Sequence, residues 1–167
     1  MLQQLTQQHF ALKLFSALGC GLVAGIFFAF SSFVMSALAR LEPAQGIAAM
    51  QAINITVINP LFMAVFLGTA ATCSLTCSLL GVSSFFRWHQ PGTAYLLLGS
   101  LLYLVGTLGV TIVFNVPLND VLATVEPDSA SGANLWANYL ANWTLWNHIR
   151  TAAALAAAAS LMAALCY

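Results

Sequence analysis

The chain has 167 residues, of which 61% are hydrophobic and only 5% are charged. A soluble globular domain has about a quarter charged residues, so this composition excludes a soluble protein and predicts an integral membrane protein. The formal net charge is zero, which excludes a nucleic-acid partner because little here would neutralise a phosphate backbone. The length predicts a single domain, residues 1–167.

The apolar runs predict an all-α fold, an integral membrane four-helix bundle with up-down-up-down order. The first span is predicted near residues 10–39, because the apolar run after Lys13 exceeds the about 7–15 residues of a signal peptide. Gly21 and Gly25 form a small-xxx-small pair on it, which predicts close helix contact. An extra amphipathic or kinked helical segment is predicted within residues 44–58.

Proline residues mark the boundaries of the later spans. The second span is predicted near residues 60–86, and Pro60 either begins it or kinks a longer helix. The third span, near residues 93–115, is predicted to end at Asn115–Asn119, because proline cannot continue a helix. The fourth is predicted near residues 134–166. At 1.5 Å per residue it is about 50 Å long, so its first turns must rise above the ~30 Å hydrocarbon core or lie along its surface.

The basic residues predict the orientation in the membrane. Lys13 and Arg87 lie on the side of the N-terminus and of the second connection, and Arg40 lies on the other side. The positive-inside rule therefore predicts that both termini are in the cytoplasm. We expect the protein in the plasma (inner) membrane.

The stretch from Trp136 to Thr151 concentrates the polar chemistry of the chain, because it holds three of the four tryptophans, a histidine and an arginine. On one helix, a stripe at i, i+4, i+7, i+11 and i+14 contains Trp136, Leu140, Trp143, Asn147 and Arg150. His148 and Thr151 flank the stripe on one side. A charge at membrane depth is costly and usually has a partner and a function, so this stretch predicts one wall of a polar site.

Polar residues from other segments reach the same end of the predicted bundle. Asn54 and Asn59 precede the second span, and Asn115 and Asn119 close the third. Arg150 lies about 25 Å above Tyr167 at 1.5 Å per residue, just beneath the outer boundary of the membrane core. We therefore expect one cavity in the outer half of the bundle, lined by Asn54, Asn115, Asn147, His148 and Arg150. Arg150 is expected to hydrogen-bond an asparagine side chain or a carbonyl at the end of span three.

Structural roles remain as alternatives for each of these residues. Interfacial tryptophans are usually membrane anchors, and asparagine at a helix end is usually a cap, the interpretation favoured for Asn59 and Asn119. Arg150 could instead extend to the lipid headgroups, and His148 could be a satisfied structural histidine.

The cysteines give no signature of a metal or haem site. Cys73 and Cys77 are spaced i, i+4, which could hold a soft metal, but packing is the favoured role because their surroundings are apolar. No Cys-x-x-Cys-His motif is present in the sequence. We therefore predict no metal and no other cofactor.

Several segments resemble one membrane family. They are Ala24–Ser31, Val34–Met35 with Leu38, Ala49–Asn54, Asn59–Pro60 with Phe62, Asn115–Asn119, Trp136–Tyr139 and Trp143–Arg150. Together they resemble the small four-span membrane proteins of unknown function that include the fungal anthrone oxygenases. The resemblance covers nearly the whole chain, and it implies oxidation of a phenolic tricyclic anthrone to an anthraquinone by O2, with no established cofactor.

The implied chemistry assigns roles to the polar residues. His148 would be a general base, and Arg150 with the amides of Asn115 and Asn147 would stabilise the resulting enolate and a reduced oxygen species. The predicted substrate-binding residues are Asn54, Asn115, Asn119, Trp143 and Trp146, with the two tryptophans stacking on a flat aromatic ring.

An interpretation from another class is a non-catalytic membrane subunit, or a protein that binds a quinone or lipid within a larger complex. The expected partners are the lipid bilayer, a small aromatic or quinone-like ligand, and either further copies of the chain or a larger membrane complex.

Overall fold

The structure, a computed structural model, describes the backbone of residues 2–83, 91–129 and 131–167, and the side chains of residues 10–79, 92–129 and 131–167. Every regular element in these ranges is helical, and no strand occurs among them. The predicted all-α class is therefore confirmed.

Seven α-helices and three π-helical segments follow one another along the described chain. They are α1 (Leu2–Ala29), a π segment (Phe30–Val34), α2 (Met35–Leu38), α3 (Pro43–Thr56), α4 (Pro60–Ser83), α5 (Pro91–Leu101), two π segments (Leu102–Gly109 and Thr111–Asn115), α6 (Val116–Ala123) and α7 (Gly132–Ala164). We call α1 to α2 the first helix and α5 to α6 the third helix. The short α3 confirms the helical segment predicted between the first two spans.

Contacts at the two ends of the bundle establish its up-down-up-down order. At the lower end, Lys13 Nζ donates a hydrogen bond to the Ala164 carbonyl at 3.1 Å, and the rings of Tyr95 and Tyr167 stack 6.0 Å apart. At the upper end, Gln51 Nε2 on α3 donates to the carbonyls of Leu122, in the last turn of the third helix, and Val125, just after it, both at 2.9 Å. The upper end thus carries α3 and the segment that follows the third helix, and the lower end carries the early part of α1 and the end of α7.

Within the part of the chain that the structure describes, three helical stretches are long and apolar enough to cross a membrane, Phe10–Leu38, Pro60–Leu79 and Gly92–Ala123. Many of their large apolar side chains are exposed, as expected for side chains that face lipid, among them Phe15, Leu22, Leu67 and Val105. The chain is therefore a membrane protein. The crossing of the membrane by α7 stays a prediction, as does the orientation, for which Arg87 lies outside the described residues.

The third helix does not end where the sequence predicted. It continues through Pro117 to Ala123, so the prediction that Asn115–Asn119 terminates it was wrong. The helix changes from π to α geometry just before the proline, with the Val116 N–H donating to Thr111 O. Pro117 thus lies in the first turn of α6, directly after the change from π to α geometry.

The predicted contact through Gly21 and Gly25 was also wrong. Both glycines are exposed, and a Cβ on either would meet nothing within 4 Å. Close helix approach occurs instead at Gly19, where a Cβ would collide with Thr69 of α4, and at Gly106, where it would lie 2.6 Å from Ala153 of α7. Gly19, on a different side of α1 from Gly21 and Gly25, therefore lets α1 approach α4 closely. Gly106 does the same for the third helix and α7.

The second span begins with an asparagine cap, as predicted. Asn59 Oδ1 accepts a hydrogen bond from the Phe62 N–H at 3.0 Å, and Asn59 Nδ2 donates to the Thr56 carbonyl at 3.0 Å. Pro60 is the first residue of α4, where its fixed φ favours helix initiation.

The buried apolar residues form two cores. The lower core joins α1, α4, the third helix and α7, and it includes Val23, Phe66, Tyr103 and Leu161. The upper core joins α2, α3, α6 and α7, and it includes Met35, Ile47, Leu122 and Trp136. Buried polar side chains near the middle of α7 lie between the two.

Candidate functional site

The buried stripe of α7 positions the candidate site. Its upper half buries Trp136, Tyr139, Trp143, Asn147 and Arg150. Tyr139 thus replaces the predicted Leu140, which is only half-buried. These positions follow helical periodicity, so they share one face of α7 and point into the bundle.

Arg150 is the central side chain of this site and is only 4% exposed. Its NH2 group donates to Asn147 Oδ1 at 2.7 Å, and its NH1 group donates to Thr111 Oγ1 at 3.2 Å. The guanidinium carbon lies 4.1 Å from the ring centroid of Phe27 and 5.0 Å from that of Trp143. Arg150 therefore bonds an asparagine of its own helix, and the third helix contributes the Thr111 hydroxyl rather than the expected asparagine or carbonyl at its end. Arg150 does not extend to the surface.

No carboxylate accompanies this buried cation. The four acidic residues of the chain, Glu42, Asp120, Glu126 and Asp128, are all exposed. The positive charge is therefore held by neutral hydrogen-bond acceptors and by two aromatic faces, which attract a guanidinium through cation–π interactions. A buried charge without a counter-charge is costly, so the site favours the approach of an anion.

Asn147 connects Arg150 to the first helix. Asn147 Nδ2 donates to the Phe27 carbonyl and to Ser31 Oγ, both at 2.8 Å. Ser31 Oγ is also 3.0 Å from Thr151 Oγ1, which donates to the Asn147 carbonyl at 2.7 Å. The Asn147 amide is thereby fixed with its oxygen toward Arg150.

Asn115 closes the cluster from the third helix and is fully buried. Its Nδ2 donates to the Trp143 carbonyl at 3.2 Å, but its Oδ1 has no hydrogen-bond partner, and neither has Arg150 Nε. A buried unpaired donor or acceptor costs free energy. The site therefore has an unused N–H donor and an unused oxygen acceptor.

A second group of hydrogen bonds lies above Arg150. Asn119 Oδ1 accepts from the Tyr139 hydroxyl at 2.8 Å and from Trp143 Nε1 at 2.9 Å. Asn54 Nδ2 makes a long contact of 3.5 Å with the same hydroxyl. Asn119 lies within α6 rather than at a helix end, so the capping role favoured from the sequence was wrong.

Two predicted site residues do not join this cluster. His148 is exposed, because it lies about 100° around the helix from Asn147, which faces the bundle interior. The expectation that His148 lines the same cavity as Arg150 is therefore not met. Trp146 is half-buried and stacks on Phe114, with ring centroids 3.5 Å apart and an interplanar angle of 8°.

An open groove of about 430 Å³ lies between α6 and the upper half of α7. It is lined by Leu118, Val121, Ser131, Asn134, Leu135, Asn138, Tyr139 and Asn142. The Tyr139 ring stacks on that of Trp143 at 6.3 Å, and Trp143 in turn covers Arg150. These two rings therefore stand between the groove and the buried guanidinium.

The sequence interpretation missed several residues that complete the cluster, namely Phe27, Ser31, Thr111 and Tyr139. The pairs Phe27 and Ser31, and Thr111 and Asn115, are each spaced i, i+4 on their helices. That spacing, together with the polar group in each pair, was the available signal.

Comparison with known proteins identifies the family. No curated protein and no solved structure matches the chain. The family model described as anthrone oxygenase matches residues 62–160, which include Thr111, Asn115, Asn147 and Arg150. Since this match covers more than half of the 167 residues, the chain belongs to the anthrone oxygenase family.

Proposed function

We propose that this protein is a membrane oxygenase that oxidises a phenolic or polycyclic aromatic compound, of the anthrone or quinol type, with O2. One observation carries the proposal: the buried guanidinium of Arg150 has aromatic faces around it and no acidic partner. A flat aromatic anion is the ligand that such a site would stabilise most.

The chemistry follows from the charge of the substrate after it loses a proton. An anthrone then becomes an electron-rich enolate, whose negative oxygen Arg150 would stabilise. The enolate reduces O2. One oxygen atom enters the substrate as the new ketone, and the other leaves as water with the two hydrogens of the oxidised methylene group. Arg150, whose Nε–H is unpaired, would hold the anion, and the second N–H of the Asn115 amide would donate to the reduced oxygen. Asn147 has both of its N–H groups in use and would keep Arg150 in position.

Access to Arg150 runs through the groove beside Tyr139. The Tyr139 and Trp143 rings separate the groove from the guanidinium, so both must turn aside when the substrate enters. Trp143 would then stack on the substrate, as offset aromatic pairs do. Asn119, which accepts hydrogen bonds from both rings, holds them in the closed position.

In this mechanism the substrate would lose its proton to water in the groove. His148 is exposed on another side of α7, and neither a histidine nor a carboxylate contacts Arg150 among the described residues. Deprotonation is then driven by stabilisation of the anion rather than by a positioned base.

The test is O2 uptake by the purified chain in lipid, with anthrone and quinol substrates and with the quinone product followed by absorbance. We expect Arg150→Ala to lower kcat/KM by about 10²–10³, the cost of removing one stabilising donor from an oxyanion site. Arg40→Ala is the control because Arg40 is exposed. Full activity of a correctly inserted Arg150→Ala variant would overturn the proposal.

The same assay distinguishes the non-catalytic alternative. A quinone- or lipid-binding subunit would show ligand binding, seen as quenching of tryptophan fluorescence, without substrate-dependent O2 uptake. That outcome would replace the oxygenase proposal with the binding function.

A further inference from the structure

The turn between α3 and α4 carries the most exposed apolar side chains of the described chain. Ile55 in the last turn of α3, Ile58 in the turn itself and Leu61 at the start of α4 are 75%, 71% and 78% exposed. No other large apolar side chain in the described part of the chain reaches these values. We call these three residues the turn patch. Apolar side chains exposed close together mark a contact surface for a partner or for lipid.

The charged residues of the upper end lie outside this region. Residues 43–86, which include all of α3, the turn and all of α4, contain no charged residue. The connection before α3 has Arg40 and Glu42, and the segment after the third helix has Glu126 and Asp128. The turn therefore lacks the charged side chains that the two other upper connections present to water.

The turn also satisfies polar groups internally. Only Val57–Asn59 interrupt the helices. Asn59 is exposed, yet its Oδ1 accepts a hydrogen bond from the Phe62 N–H and its Nδ2 donates to the Thr56 carbonyl, both at 3.0 Å. The Val57 N–H donates to the Ile53 carbonyl at 2.9 Å. An interruption of a helix is tolerated in hydrocarbon when side chains and neighbouring backbone satisfy the freed groups in this way.

The turn patch is continuous with the lipid-facing side of α4. Leu61 itself belongs to the stretch Pro60–Leu79, which is long and apolar enough to cross a membrane. Leu61, Gly68 and Leu75 recur at intervals of seven residues and are all exposed, so they lie on one side of α4. Lipid that covers this side of α4 therefore extends to its first turn and to the turn patch.

The exposed side of α3 changes from polar to apolar along the helix. It begins with Gln45, close to Glu42, and ends with Ile55. On the other side of α3, Ile47 and Met50 are buried in the upper core. The helix thus packs on the bundle along its length, while its exposed side becomes apolar toward α4.

We propose that the turn patch is immersed among the acyl chains of the bilayer, so that the second half of α3 and the α3–α4 turn are embedded in the membrane. In this arrangement α3 enters the membrane obliquely as an interfacial helix, with Gln45 in the water-facing region and Ile58 at the level of the acyl chains. The partner of this surface is lipid, because the patch is apolar, uncharged and continuous with a lipid-facing helix.

The depth of α3 is independent of the oxidation chemistry, but it sets the level of the polar cluster beside it. Asn54 precedes Ile55 and contacts the Tyr139 hydroxyl at 3.5 Å. Tyr139 and its hydrogen bonds would then lie close to the outer edge of the acyl region.

The test is site-directed spin labelling of the full-length chain in phosphatidylcholine vesicles. The background carries Cys166→Ser, because Cys166 is an exposed thiol, and its own residual signal is subtracted. Labels at Ile55→Cys and Ile58→Cys are measured for collision with O2, which concentrates among acyl chains, and with a water-soluble nickel chelate. We expect both labels to collide with O2 and to be protected from nickel, like a label at Leu67→Cys, an exposed position within the span.

The controls are Gln45→Cys, near the start of α3, and Asn138→Cys, near the start of α7. Both residues are exposed and polar, and neither belongs to the turn patch. We expect frequent nickel collisions at both positions. Circular dichroism and gel filtration establish folding for every variant, and if one isoleucine substitution impairs folding, the other carries the test.

Two results would overturn the proposal. Nickel collisions at Ile55→Cys and Ile58→Cys as frequent as those at Gln45→Cys would place the turn in water, whatever the collisions with O2. Protection of both labels from O2 and from nickel would show that protein covers the patch instead of lipid. If dilution with unlabelled chain removed that protection, the covering protein would be a second copy of the chain.

Discussion

The environment of Arg150 explains why neighbouring side chains on one helix have different roles. The guanidinium is held by Asn147 and Thr111, and Asn147 is held in turn by Ser31 and the Phe27 carbonyl. Each bond removes part of the cost of burying a charge in an apolar bundle. His148, the next residue after Asn147, makes none of these contacts because it points outward.

We expect His148→Gln to retain oxidation activity, because the exposed imidazole does not contact the anion site. If His148 were a positioned base, kcat/KM would rise with pH as the imidazole loses its proton, and the variant would lose that rise. If Arg150 instead stabilises a substrate anion, kcat/KM should rise over the pH range in which the substrate itself ionises. Matching pH profiles of O2 uptake for the two proteins would support this mechanism, whereas a profile flattened by His148→Gln would restore the base role.

Asn147→Leu should destabilise the protein by about 1–3 kcal/mol, because it removes the acceptor of the buried Arg150 NH2 group. Thermal unfolding in detergent measures the change. Asn142→Leu is the matched control, since Asn142 is an exposed asparagine on the same helix and surface substitutions usually stay within about 0.5 kcal/mol. Equal stability of the two variants would show that the Arg150 cluster contributes little to folding.

The packing of α3 on α7 depends on a glycine. A Cβ on Gly46 would lie 2.7 Å from the Trp136 indole ring, so α3 reaches α7 only because this position has no side chain. Gln51 then fixes α3 to the end of the third helix. These contacts close the upper core, which supports Tyr139 and Trp143 next to the groove.

Gly46→Ala should therefore lower stability by about 1–3 kcal/mol, the usual cost of overpacking a core. Gly21→Ala is the opposite case. Gly21 is exposed within α1, where alanine is favoured over glycine by about 0.5–1 kcal/mol. Unfolding temperatures of the two variants should move in opposite directions. A stabilising Gly46→Ala would contradict the close approach of α3 to α7.

The arrangement of the complete bundle makes a prediction about the two membrane faces. Reporter fusions after Tyr167 should read as cytoplasmic, and fusions within residues 126–131 should read as external, because Lys13 and Arg87 outnumber Arg40. The two fusion sites lie at opposite ends of the 33-residue α7. Readings from the same side would show that α7 does not cross the membrane, and exchanged readings would show an inverted orientation.

The sequence by itself determined the all-α class, the membrane location, the family and the polar stripe of α7 from Trp136 to Arg150. These follow from composition and from helical periodicity, which are local properties of the chain. Asn147 and Arg150 were thereby placed together correctly, since they lie one turn apart.

Only the tertiary structure decided which face of each helix meets a neighbour. Lipid is as apolar as the core, so hydrophobic patterning distinguishes poorly between the two faces of a membrane helix. For this reason Gly21 and Gly25 were placed inward, and the inward contacts of Cys20, Phe27 and Ser31 were missed. His148 was included with Arg150 by its depth, whereas the rotation of α7 that buries Asn147 leaves the imidazole outside.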